Sequence, residues 1–111
     1  MEPLPRHQMG PAYRELRTAL EAHRGDLTPR QIRFVVLSLD LFPIARNPKL
    51  WSESVDIHRA EVDELPEALR RPFRECEVEV TNRIKLQLQA DAAAAARADA
   101  APAAGRKRRQ G

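Results

Sequence analysis

The stretch FRECEVEVTNRIKLQLQ, Phe73–Gln89, decides the fold, because it scans in two ways. As a helix, it lines up Phe73, Cys76, Val80, Ile84 and Leu88 on one seam at spacings of three or four residues. As a hairpin over residues 74–89, a loop at Thr81-Asn82-Arg83 pairs Val80 with Ile84, Val78 with Leu86 and Cys76 with Leu88. The hairpin accounts for Val78 and Leu86, which the seam leaves out. The helix suits the neighbouring sequence better. The chain runs directly into ADAAAAARADA, whose alanines are the strongest helix formers, and no glycine marks a turn. The helix is the preferred reading, starting at Pro72 and ending near Ala98, a span of roughly 40 Å. The expected class is all-α, a bundle of three to four helices with a long C-terminal helix. An α+β chain with the hairpin is the alternative.

Working back toward the N-terminus, each predicted helix carries a start signal. Asn47 precedes Pro48, and Leu50, Trp51, Ser54, Val55, His58 and Val62 then share a face. Thr28, Pro29 and Gln31 form a capping box, followed by a stripe of Ile32, Val35, Val36, Leu39 and Phe42. Phe34, Leu37 and Leu41 widen that stripe, so this helix is expected to be the most buried. FVVLSLDLF alone suits a strand, but the cap and the period favour a helix that Pro43 stops. A first helix begins at Pro11, buries Tyr13, Leu16 and Leu20, and leaves through a left-handed Gly25. Pro66 opens a short turn that Pro72 punctuates. The expected organisation is a flexible lead over residues 1–10, a helical domain over 11–98 and a disordered Ala/Arg-rich tail over 99–111.

Charge is unevenly placed. The net +3 belongs to residues 90–111, where five basic side chains face two acidic ones, so the body is neutral. A neutral body is no general polyanion binder, since that affinity comes from phosphate neutralisation. Arg106, Lys107, Arg108 and Arg109 are the candidate polyanion contact. Within the body, residues 1–35 are mildly basic and residues 47–69 acidic, which suggests complementary faces meeting within the fold or across a dimer.

The signals for chemistry are thin. His7, His23 and His58 lie far apart, and none stands at ligand spacing from Cys76, so no metal is expected. Cys76 sits among Glu75, Glu77 and Glu79, which oppose the thiolate a nucleophile needs. The four glycines build no phosphate loop. No catalytic residues, cofactor or small-molecule substrate are expected. A lone cysteine allows no intrachain disulfide, and no apolar run nears the roughly 18 residues that span a bilayer. The reading is a cytoplasmic protein.

The functional expectation is a non-enzymatic protein-interaction module, a self-associating adaptor, assembly factor or small regulator. Trp51, Phe73, Cys76, Val80, Ile84 and Leu88 are its candidate interface, with a protein partner that includes a second copy. The alternative is a nucleic-acid-associated factor using the basic tail together with Arg14, Arg17 and Arg24. LTPRQIRFVV, Leu27–Val36, resembles the opening of the first helix in phage small terminase subunits. The turn and second helix of a helix-turn-helix are missing after it, because FPIARNPKLW is broken by proline. No functional residue is carried over from that resemblance, which implies a phage packaging subunit as one form of the alternative.

Overall fold

The computed structural model describes the backbone of residues 9–105 and the side chains of residues 9–98. Four helices run in order: α1 (Pro11–His23), α2 (Pro29–Leu41), α3 (Pro48–Asp63) and α4 (Glu67–Gly105). No strand occurs among the described residues. The hairpin alternative is therefore overturned, and Phe73–Gln89 lies inside α4.

Local chemistry sets the helix starts. In α2, the Gln31 amide donates to Thr28 Oγ1 at 3.1 Å while the Thr28 amide donates to Gln31 Oε1 at 2.9 Å. This reciprocal pair satisfies two backbone donors that have no intrahelical partner. In α3, the Leu50 amide donates to Asn47 Oδ1 at 2.9 Å. The start of α1 is capped from a distance. Gly10 has no side chain to offer, and the Ala12 amide donates to Glu79 Oε2 of α4 at 3.2 Å. A Cβ on Gly10 would stand 2.3 Å from that oxygen, so glycine is what lets the carboxylate reach the positive end of α1.

Two local expectations change. Gly25 lies in a 3₁₀ turn, Arg24–Asp26, outside the left-handed region, so it is no left-handed exit. Pro72 does not punctuate the chain. It is the sixth residue of α4 and fully buried, and the helix passes through it. A proline there removes one backbone hydrogen bond, and burial of its ring offsets part of that loss. α4 accordingly begins at Glu67 and continues past the expected end at Ala98 to Gly105.

The core is built around α4, which supplies buried Leu69, Pro72, Phe73, Cys76, Val80 and Ile84. α1 lays Tyr13, Leu16 and Leu20 against it, and α3 adds Trp51 and Val62. α2 is not the most buried helix, contrary to its composition. Its fully covered apolar positions are Val35 and Leu39. Five rings join the elements in a chain. His58 of α3 lies 5.3 Å from Phe34 of α2, Phe34 stacks 5.4 Å from Phe73, Phe73 meets Phe42 at 5.5 Å, and Phe42 meets Trp51 at 5.8 Å. Offset and edge-on contacts of this kind add to the burial of each ring. Tyr13 closes the α1–α2 contact by donating to the Leu39 carbonyl at 3.1 Å.

The bundle ends before α4 does. Past Ile84 the core seam reaches Gln87 and Asp91, which hydrogen-bond each other at 2.9 Å, and every side chain from Lys85 to Ala98 is exposed. With 39 residues, α4 is about 58 Å long, so its second half projects as a free alanine-rich arm.

Candidate protein-interaction surface

The predicted interface seam lies inside the chain. Trp51, Phe73, Cys76, Val80 and Ile84 are each buried in the core of a single copy, and Leu88 alone stands exposed. A side chain packed on all sides by its own fold offers no face to a partner, so these five residues are corrected from interface to core. Trp51 is fixed further by its indole N–H, which donates to Thr81 Oγ1 at 2.9 Å, and Thr81 in turn donates to the Glu77 carbonyl at 2.8 Å. Burial, with Glu79, Glu77 and Glu75 nearby, pushes the Cys76 thiol well above its ordinary value.

Exposed large apolar side chains occur on α4, at Val78, Leu86 and Leu88, and along α2, α3 and the corner that joins them. Leu37, Ile44, Leu50 and Ile57 are 59, 50, 63 and 74 % exposed. The corner is held rigidly: Phe42 and Ala45 are buried, the Ile44 and Ala45 amides both donate to the Leu41 carbonyl, and Arg46 Nη1 donates to the carbonyls of Pro43 and Ala45. Arg83 of α4 also donates to the Ala45 carbonyl. Beside it lies a cleft of about 320 Å³ floored by Leu41, Trp51 and Ser54 and rimmed by Ile44 and Leu50. A second cleft, of about 370 Å³, opens at the other end of the α2–α3 pair between Arg30, Phe34, Glu61 and Glu64. Ile44 and Leu50 flank the first cleft, while Leu37 and Ile57 lie further along α2 and α3. Several large apolar side chains exposed on one side are the pattern of a docking surface, whereas single exposed leucines are ordinary. The seven-residue step from Leu37 to Ile44, and again from Leu50 to Ile57, was the signal in the sequence. Periodicity names a face, but it does not say whether a neighbour covers that face.

Beneath the groove, Ser54, His58 and Glu77 line one small space. Ser54 Oγ and His58 Nδ1 are 3.3 Å apart. These are residue types used in acyl transfer, but the space they share is about 10 Å³, the room of one water at most. His58 instead packs against Phe34. Burial raises Glu77 from an ordinary 4.5 to about 7, against the lowering pull of Arg74 and Arg59.

The raised Glu77 carboxyl makes stability depend on pH. The folded state holds the Glu77 proton more tightly than the unfolded chain does, so this contribution is complete below pH 4.5 and is lost as pH rises through 7. Discounted for the solvent that still reaches the carboxyl, the loss is about 1 kcal/mol. Thermal melts should therefore show a lower Tm at pH 8 than at pH 5.5. Glu77→Gln should remove that part of the difference, by about 4–8 °C. Identical pH profiles for the two proteins would refute the assignment.

Among the described residues, no group of three or more His, Cys, Asp or Glu is placed to hold a metal ion. No helix among them is long and apolar enough to cross a membrane. Arg106, Lys107, Arg108 and Arg109 lie outside the described residues, as do residues 1–8 of the expected lead-in. Of the arginines in and just after α1, Arg14 donates to the Met9 carbonyl, Arg24 pairs with Glu21 at 3.0 Å and Arg17 is exposed. Comparisons with family models, with curated proteins and with solved structures give no match.

Proposed function

We propose that the chain is a non-enzymatic protein-interaction module, an adaptor, assembly factor or small regulator of the cytoplasm, whose working face is the α2–α3 corner. The observation that carries this is the exposure of Leu37, Ile44, Leu50 and Ile57 on one side of the bundle, where Ile44 and Leu50 flank a cleft that reaches buried Trp51. An apolar anchor entering such a cleft is desolvated on both sides, which is where interface energy concentrates. A free, buried Cys76 is in keeping with a reducing compartment.

The nucleic-acid alternative draws on a tail outside the described residues and on an α1 whose arginines are partly engaged. It is the weaker reading.

The test is capture from the native cell with tagged wild-type chain and with folded Leu37→Asp and Ile57→Asp variants, and identification of what is bound. The wild type should recover a stoichiometric polypeptide, either untagged copies of itself or another chain, and both variants should lose about 90 % of it. Equal recovery by all three proteins would overturn the assignment of this face.

A further inference from the structure

Among the exposed positions of α2, α3 and the turn between them, two sets advance by seven residues: Arg30, Leu37 and Ile44, and Leu50, Ile57 and Glu64. Arg30 and Leu37 share one row of α2, with Ile44 in the turn just beyond its end, and Leu50, Ile57 and Glu64 share one row along α3 to its cap. Between them lie half-buried Phe34 and Leu41 on one helix, and Ser54 and Glu61 on the other. α2 and α3 run antiparallel, since Arg30 lies level with Glu61 at 3.9 Å and Gln31 Nε2 donates to the Glu64 carbonyl at 3.4 Å. Ile44 and Leu50 line one cleft at one end of the pair and Arg30 and Glu64 line another at the other end, so Leu37 and Ile57, each seven residues in from both, fall between them.

We propose that the occupant of this face is a second copy of the chain, joined by a twofold axis parallel to α2 and α3 so that α2 of each protomer lies on α3 of the other. This deepens the interaction-module reading and rests on it. The arrangement sets the two corners side by side and buries eight large apolar side chains across the pair. It also places Arg30 beside Glu64 of the other protomer, and by symmetry does so twice. Charge selects it over the other face-to-face twofold, whose axis runs perpendicular to the helices. That axis lays α2 on α2 and α3 on α3 end for end, which sets Ile44 on Arg30 and Leu50 on Glu64 and leaves a charge on apolar surface. The basic N-terminal part of the body and its acidic stretch at residues 47–69 thus have a place to meet beyond the exposed Arg30–Glu61 contact within one copy.

Sedimentation equilibrium of the full chain over a wide concentration range tests this, with circular dichroism confirming that each variant keeps its helix content. The wild type should dimerise. Leu37→Asp or Ile57→Asp should raise the dimer dissociation constant by about tenfold or more, on the order expected of a central apolar anchor. Ile57→Ala, a milder change, should raise it by a smaller factor. Arg30→Glu and Glu64→Arg should each weaken the dimer by about fivefold, and the double variant should recover wild-type affinity. A chain that stays monomeric, or a dimer indifferent to Leu37→Asp and unrescued by the charge exchange, would overturn the proposal. A monomer that still loses its captured partner on Leu37→Asp would sink the dimer alone and leave the interaction face standing. Failure in both assays would remove both.

Discussion

Phe73→Ala should bring the protein close to unfolding at room temperature. Phe73 is fully buried at the middle of the five-ring chain, 5.4 Å from Phe34 and 5.5 Å from Phe42. Removing a ring from such a site typically costs about 3–5 kcal/mol, from lost transfer energy and the cavity left behind. The neighbours cannot close in, since Phe42 is held against Trp51 and Phe34 against His58. Domains of this size have only about 5–10 kcal/mol in total. Thermal denaturation monitored by circular dichroism should show Tm lowered by about 15 °C or more. Val78→Ala is the matched control, because Val78 sits on the exposed side of the same helix and should change stability by no more than about 0.5 kcal/mol. Equal effects from the two substitutions would mean that the ring chain does not organise the core.

Val80→Asp should be more damaging still. Val80 is buried between Cys76 and Ile84 on the core seam of α4, one residue from the carboxylate of Glu79. An aspartate there loses the valine contacts and buries a charge with no partner, a combination worth about 4 kcal/mol or more. Leu88→Asp, on the same seam but beyond the bundle, should be nearly neutral. The pair separates a core seam from an interface seam. If Val80→Asp stayed folded and merely split an oligomer, Phe73, Cys76, Val80 and Ile84 would be interface residues after all. Loss of the cooperative transition in Val80→Asp, beside an unaltered Leu88→Asp, places them in the core of one chain.

The ion pairs on the surface carry smaller expectations. Arg71 with Glu15 ties α4 to α1, and Arg74 with Asp63 ties it to α3. Both pairs are about half exposed, so solvent screens them and their contribution to stability is small. They orient the helices more than they stabilise them. The buried rings and the Leu16, Leu65 and Leu69 side chains carry the energy.

The sequence by itself determined what depends on neighbours three or four residues apart. Thr28 with Gln31, and Asn47 ahead of Pro48, set helix starts because capping is a contact between a side chain and an amide one turn on. The all-α class was legible as well, because the alanine run beyond Gln89 carries its helix preference in every residue. Only the tertiary structure decided where each apolar stripe goes. The seam of α4 is hidden because α1 and α3 happen to lie along it, and Leu88 is left out because they stop short of it. Leu37, Ile44, Leu50 and Ile57 have the same chemistry as the core leucines, yet no helix among the described residues covers them. Burial is a property of what lies opposite a side chain, and that is set by long-range packing rather than by spacing along the chain. Pro72 shows the same limit: locally it reads as a stop, and the enclosing core carries the helix through it.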